Sequence, residues 1–417
     1  MLIHTAKPPM GWNTWNVYLG VPDESILKKS AEYMSRNLLG SGYEYFVIDA
    51  LWYCNDTTGE WSFDEYGILQ PDRQKFPNGM LSFSEYVHSL GLKFGIHMMR
   101  GIHTHVINQG CKIKGTEVSV DDIIDYGSPC SWSDKNGWYG IKTDSPYAQS
   151  WYDGIVSQFA EWQVDFIKYD DLGSPIKKKD IIFIENAINK CGRDMVLSLS
   201  PGNRAQTADA GFYSAHSTMW RITGDFWDDQ KNFTRCFDKL AEWNEYISLG
   251  GWPDADMLPL GRICENPHVS GDVPRICRFT FDEIKSLMTL FSIAKSPLIL
   301  TCSLLKNPDD FLSVQTQPDC IYLNQHGKPE ILLADSETHI WHSKAGETDY
   351  LAVFNRTESE RNIEVVIPKE LSGKQAADVW SSEELPITLS EPIERVSVPA
   401  HGVTLLKCYE NSIVINE

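Results

Sequence analysis

The chain has 417 residues, of which 42% are hydrophobic, 12% aromatic and 23% charged, and its formal net charge is −20. That length exceeds what one hydrophobic core usually organises, so two domains are expected. The acidic balance disfavours nucleic acid and anionic membrane surfaces as partners, because both need basic patches, and leaves a neutral ligand as the better fit.

After Pro8-Pro9 comes Met10-Gly11-Trp12-Asn13-Thr14-Trp15-Asn16, a short apolar stretch that turns polar and aromatic. Residues 23–38 place Ile26, Leu27, Met34 and Leu38 at helical spacing behind an Asp-Glu-Ser opening that can cap a helix. A β-rich strand at 43–49 ends in a carboxylate, Asp49. The rhythm then repeats: helix 83–90 leads to strand 93–97, and helix 148–163 leads to a strand within 165–173. Helix 179–191, strand 195–200, short strand 218–222, helix 233–249, a strand-to-loop junction at 250–257, amphipathic helix 281–295 and buried strand 297–300 complete it. Eight strands alternating with helices over about 300 residues is the size of a (β/α)8 TIM barrel. A doubly wound α/β sheet is the rival, but it needs fewer strands and often a Gly-rich phosphate turn, which is not found here. From residue 306 the texture changes to short β-rich segments at 330–333, 339–341, 350–354, 363–367 and 403–406. The expected division is therefore a barrel at 1–305 and a small antiparallel β-sandwich domain at 306–417.

The N-terminus, Met1-Leu2-Ile3-His4-Thr5-Ala6-Lys7, has no basic segment followed by an apolar run, and no stretch approaches the length of a membrane span, so a cytoplasmic protein is expected. The ten cysteines are scattered without zinc-like spacing and read as mostly buried free thiols. A Cys111–Cys130 disulfide is the alternative for an exported protein. The three Asn-x-Thr matches at Asn55, Asn232 and Asn355 are read as chance without a secretory signal.

Asp165-Phe166-Ile167-Lys168-Tyr169-Asp170-Asp171-Leu172-Gly173 stands at the centre of the chemistry. Strand alternation sends Phe166, Lys168 and Asp170 to one side, so two charges share a face that otherwise looks like core. An ammonium beside a carboxylate keeps it ionised, which suits a nucleophile; the alternative is a structural ion pair at a strand end. In a TIM barrel the carboxyl ends of the strands carry the active site. This chain places there Trp12 and Asn13, Asp49 with Trp52 and Tyr53, His97 with Arg100, Lys168 with Asp170, Ser200, Arg221 with Asp225, and Trp252 with Asp254 and Asp256. Any one of them alone reads better as a loop cap, but the set reads as a pocket for a small polyhydroxylated ligand, with aromatic rings suited to sugar faces. Two carboxylates in such a rim are the equipment for glycoside hydrolysis. A metal site is the weaker alternative, since His97 lacks a nearby His or Glu at a familiar ligand spacing.

In order along the chain, the Pro8–Asn16 stretch, Lys168-Tyr169-Asp170, Trp220-Arg221-Ile222-Thr223-Gly224-Asp225 and Gly251-Trp252-Pro253-Asp254-Ala255-Asp256-Met257 resemble glycoside hydrolase family 27, the α-galactosidase and α-N-acetylgalactosaminidase family, in a bacterial-type branch. The resemblance implies a retaining exo-α-glycosidase with Asp170 as nucleophile and Asp225 as general acid/base, Asp225 lying in a less polar setting that raises its pKa. It further implies Trp12, Asp49, Lys168 and Arg221 around the sugar, to which the strand ends add Trp52, His97, Ser200 and Asp256 as expected contacts; a small carbohydrate is the expected partner, with no cofactor and no metal, and homo-oligomerisation is left open. Three departures bear on the sugar. Ala50 follows Asp49 where α-galactosidases commonly have a second acid, Ser200 stands where the eukaryotic enzymes have Glu, and His97 lies in a strand end that replaces a Tyr-containing one. Terminal α-galactose is the first expectation. α-N-acetylgalactosamine, β-L-arabinopyranose and isomaltodextran are alternatives on the same scaffold, and a catalytically silent carbohydrate-binding protein is the alternative from another class.

Overall fold

The computed structural model describes residues 1–130, 137–173, 175–249, 251–266, 273–381, 387–389 and 393–410. Gly250 of the expected 250–257 junction, and residues 382–386, 390–392 and 411–417 of the expected C-terminal domain, lie outside the described residues.

Eight parallel strands form one sheet: β1 (Met10–Asn13), β2 (Tyr45–Ile48), β3 (Lys93–Met99), β4 (Phe166–Asp170), β5 (Val196–Ser200), β6 (Met219–Arg221), β7 (Trp252–Asp254) and β8 (Leu298–Leu300). Their order is β7-β6-β5-β4-β3-β2-β1-β8. The two edges meet just past β7, where Leu258 bridges Leu300; Leu258 N donates to Ile299 O (2.8 Å) and Thr301 N to Leu258 O (2.9 Å). The sheet is thereby a closed TIM barrel, as expected.

Helices α1 (Glu24–Asn37), α2 (Gly79–Ser89), α3 (Ala148–Glu161), α4 (Lys178–Lys190), α5 (Ala210–His216), α6 (Gln230–Trp243), α7 (Phe281–Ile293) and α8 (Asp309–Gln315) follow the strands in turn. Asp23 caps α1 as its sequence suggests, its Oδ1 accepting from Ser25 N (2.9 Å) and Ile26 N (3.1 Å). Thr280 and Glu283 form a capping box on α7. Two features escape the periodicity of the sequence. Helix α5 is only two turns long, and a three-stranded sheet of Ile102–His103, Ile124–Pro129 and Trp138–Ile141 is inserted between β3 and α3.

Pleat parity sorts the strand residues. Tyr45, Val47, Phe166, Val196, Met219, Trp252 and Ile299 form a buried cluster inside the barrel. Two or four residues onward, the same inward faces carry Asp49, Lys168, Asp170, Ser198, Ser200, Arg221 and Asp254. The intervening Phe46, Ile48, Ile167, Tyr169, Leu197, Leu199 and Trp220 join the outer core beneath the helices. Strands β2 and β4 to β7 thus begin apolar on the inner face and run into polar residues at their carboxyl ends.

Residues 309–326, which fall on the C-terminal side of the expected boundary, are helical: α8 is followed by α9 (Pro318–His326). Strands then begin with β9 (Gly327–Ala334), β10 (Thr338–Ala345), β11 (Thr348–Asn355), β12 (Arg361–Val366), β13 (Gln375–Asp378), β14 (Ile387–Thr388), β15 (Ile393–Val398) and β16 (Val403–Tyr409). An antiparallel sheet in the order β9-β10-β11-β16-β13-β14 is covered by the β12–β15 pair. Ala352, Phe354, Val403 and Leu405 face the barrel and merge with its outer core, whereas Leu351, Val353, Leu406 and Cys408 pack against Ile363, Val365, Val396 and Val398. All ten cysteines are free thiols, Cys111 and Cys130 included, and no helix among the described residues is long and apolar enough to cross a membrane.

Gly11 shows how tightly the barrel wall is built, since a Cβ there would lie 2.3 Å from Tyr45 O on the neighbouring strand. Gly11→Ala is expected to cost about 1–3 kcal/mol, the usual penalty of overpacking. A thermal unfolding midpoint equal to that of the unmodified chain would refute this.

Candidate active site

A cavity of about 280 Å³ opens at the carboxyl ends of the strands. Asp49, His97, Lys168, Asp170, Ser200, Arg221 and Asp225 all line it, so seven of the ten residues singled out from sequence meet at one place.

Asp49 is the most tightly held. Its Oδ2 accepts from Lys168 Nζ (2.7 Å) and Asn13 Nδ2 (2.8 Å), and its Oδ1 accepts from Ala50 N (2.8 Å). Burial alone would push its carboxyl up, but Lys168 and His97 outweigh burial and hold it well below the usual carboxylate range. From sequence, Lys168 is expected against Asp170. Its ammonium instead bonds to Asp49, and the side chain that touches Asp170 is His97, with Nε2 3.4 Å from Oδ2. Burial again opposes ionisation of Asp170, and the hydrogen bond and charge of His97, then Lys168 and Arg221, bring it below the ordinary value. Lys168 itself is shifted upward, since Asp49 and Asp256 overcome the effect of its burial.

Arg221 is the second buried cation. One Nη2 reaches Asp225 Oδ1 (3.0 Å), Asp256 Oδ2 (3.2 Å) and Thr223 O (3.3 Å). Asp225 is 59% exposed beside the Arg221 guanidinium, so it does not lie in the low-polarity setting expected from sequence. Behind these groups, burial and the neighbouring Asp256 push the Asp254 carboxyl up to about 7.

Three of the expected sugar contacts lie elsewhere. Trp12 is wholly buried on the outer face of β1, packed at a tilt against Phe46 (centroids 4.9 Å apart), with Nε1 donating to Cys302 O (2.7 Å). The reason is parity: Trp12 pairs with Phe46, which faces the helices, whereas its neighbours Gly11 and Asn13 pair with the inward Tyr45 and Val47. The tryptophan that lines the cavity is Trp15. Trp52 is buried against Tyr53 and Trp162, its Nε1 donating to His97 O (3.0 Å), and it lines a separate apolar cavity. Asp256 stands behind Arg221 rather than on the cavity wall. Residues that sequence reasoning missed come from the loops after β4 and β5: Asp171, Asn203 and Arg204. Arg100 fixes the first of these loops, donating to Asp171 O (3.0 Å) and Oδ2 (2.8 Å). An Arg just after β3 and an Asp just after β4 carry no spacing signal that would pair them.

His97 Nδ1, Ser200 Oγ and Arg221 Nε are buried and have no hydrogen-bond partner among the described residues. Buried polar atoms are normally satisfied, so these three are exceptions, and all belong to residues that line the cavity. Among the described residues no three His, Cys, Asp or Glu side chains gather as a metal site would require.

Residues 7–128 and 136–326 match the family described as Alpha galactosidase A. Alpha-galactosidase A of Cellvibrio japonicus is 26% identical over 96% of this chain and 91% of its own length. A rice alpha-galactosidase is 27% identical over 76% of this chain, and the match spans 63% of that protein. Among solved structures, a family 27 β-L-arabinopyranosidase from Geobacillus stearothermophilus, seen in complex with arabinose, is 34% identical, covers 98% of this chain and 99% of its own, and superposes with a TM-score of 0.90.

The Asp49–Lys168 pair makes a prediction about stability. Asp49→Ala leaves Lys168 buried without its hydrogen-bonded carboxylate and is expected to cost about 3–5 kcal/mol. Adding Lys168→Met removes the stranded charge and is expected to recover part of that loss in denaturant unfolding. A double variant as unstable as the sum of the singles would mean that the two groups do not act as a pair.

Proposed function

The chain belongs to the Alpha galactosidase A family, glycoside hydrolase family 27, and on that footing we propose that it is a retaining exo-glycosidase that releases terminal α-D-galactosyl residues. The observation that carries this reading is the placing of Asp170 and Asp225 on one small cavity, the first inside it and the second at its open side. At about 280 Å³ the cavity is at the small end of ligand sites, which suits one terminal sugar rather than a chain.

The reaction runs in two displacements. Asp170, kept as the carboxylate by His97, Lys168 and Arg221 against its burial, attacks the anomeric carbon as the bond to the leaving oxygen breaks. Asp225 gives that oxygen its proton. With the aglycone gone, Asp225 takes a proton from water, the hydroxide oxygen attacks the same carbon, and the Asp170 ester bond breaks. Two inversions give net retention. Lys168, Asp49, Ser200 and Arg221 are the groups assigned to the sugar hydroxyls, and no cofactor enters.

One feature of the cavity favours a second sugar. Ala50 lines it where a second acidic anchor is expected from the family pattern, and β-L-arabinopyranose is the galactose ring without its C6 hydroxymethyl group. The arabinopyranosidase named above is similar over nearly the whole chain.

Nitrophenyl α-galactoside, β-L-arabinopyranoside, α-N-acetylgalactosaminide and α-glucoside, compared by kcat/KM, test the reading. Preference for α-galactoside supports it. Preference for arabinopyranoside assigns the decisive part to Ala50, in which case Ala50→Asp is expected to raise the galactoside/arabinopyranoside ratio at least tenfold. Preference for the acetamido sugar points to the space beside Ser200, and no hydrolysis of any would leave a binding role. Asp170→Ala is expected to abolish turnover while sparing sugar binding measured by calorimetry; undiminished turnover would overturn the mechanism.

The pH profile provides a separate check. A carboxyl held below its ordinary value of about 4 stays ionised as pH falls, so the acid limb of kcat/KM is expected below pH ~4. His97→Phe removes the neighbour that does most to lower it, and the limb is expected to move to higher pH. A limb that stays in place would separate His97 from the ionisation of Asp170.

A further inference from the structure

The loop that carries Asp225 is stitched along its length to the segment after β7. Ile222 N donates to Asp254 O (2.9 Å), Thr223 Oγ1 to Ala255 O (3.0 Å) and Phe226 N to Asp256 Oδ2 (2.8 Å), while Arg221 Nη2 lies 3.2 Å from the same Asp256 oxygen. Asp225 is therefore flanked by two groups, the Phe226 amide and the Arg221 guanidinium, that converge on one carboxylate oxygen.

Asp256 has a backbone that an L residue rarely adopts, with φ of +80°. Its amide donates to Asp254 Oδ1 (2.9 Å), a turn closed by the side chain two residues earlier. Ser296 Oγ holds the intervening Ala255 amide (3.0 Å). Asp254 is buried and does not line the cavity.

We propose that Asp254 is a positioning residue for proton transfer: its carboxyl holds Asp256 in the left-handed turn, and Asp256 in turn fixes the amide and the guanidinium on either side of Asp225. The proposal rests on the reading of Asp225 as acid/base. It assigns Asp254 no contact with substrate, and it distinguishes the two members of the Asp-Ala-Asp motif, one forming the turn and the other delivering its carboxylate.

A leaving group that needs no proton separates this role from a merely structural one. Asp225→Ala is expected to lower kcat/KM about 10²–10⁴-fold on an alkyl glycoside of the preferred sugar, the range of general acid catalysis. On the dinitrophenyl glycoside, whose leaving group departs unassisted, it should lower kcat/KM less than tenfold. Asp254→Ala is expected to show the same selectivity in weaker form, roughly 10–100-fold on the alkyl glycoside and under threefold on the dinitrophenyl one. Asp254→Asn retains an oxygen acceptor for the Asp256 amide and should rescue most of the alkyl activity. Asp254→Ser, a weaker acceptor, should fall between Asn and Ala.

Equal loss on both substrates for Asp254→Ala, or an Asn variant no better than Ser, would overturn the proposal. The Asn–Ser comparison decides the matter even if the Ala variant does not fold. If Asp225→Ala shows no selectivity, the acid/base reading fails and takes the proposal with it; if Asp225→Ala shows it and Asp254→Ala does not, only the proposal fails.

Discussion

Two cations buried in the mouth of a barrel, Lys168 and Arg221, are the constraint to which the rest of the site answers. An unpaired charge in such a place costs several kcal/mol, so carboxylates must be supplied from neighbouring strands in hydrogen-bonding geometry. Asp49 serves Lys168 and Asp256 serves Arg221, each from a different part of the chain. Because these two take the most buried contacts, Asp170 is left with an oxygen whose side-chain partner among the described residues is the longer contact from His97, and Asp225 is 59% exposed. Structural pairing and chemical availability are thus divided among different carboxylates.

The same logic explains what could be read from sequence. The β/α rhythm was legible because buried parallel strands and amphipathic helices leave strong periodic signals, and the polar strand ends stood out against them. Lys168 and Asp170 do share a face, as alternation requires. Their partnership was not legible, since pairing between strands depends on register, and register set Lys168 beside Asp49. Trp12 illustrates the cost of reading a motif without its parity: Gly11 and Asn13 are the inward residues of that strand, and Trp12 must therefore face the helices. The inserted sheet and helix α5 are too short to develop a period, and α8 and α9 fall where an approaching β domain hides a weak helical pattern.

Two aspartates at the strand ends depart from the usual backbone in the same way. Asp171 after β4 has φ of +63° and Asp256 after β7 has φ of +80°. In both, an aspartate earlier on the strand receives the amide: Asp170 Oδ1 from Asp171 N (2.7 Å) and Asp254 Oδ1 from Asp256 N (2.9 Å). Each turned carboxylate then meets an arginine, Arg100 or Arg221. Left-handed backbone at a non-glycine residue persists only where its surroundings over-determine it, and here a side-chain acceptor on one side and a guanidinium on the other do so.

The two carboxylates assigned to the reaction occupy unlike settings, as acid/base chemistry at one pH requires. Asp170 is 20% exposed and surrounded by His97, Lys168 and Arg221, so its charged form is favoured before any ligand arrives. Asp225 is paired with Arg221 and is 59% exposed. On the proposed reading, the charge of the nucleophile is set by side chains from three different strands, while Asp225 is left accessible to a substrate.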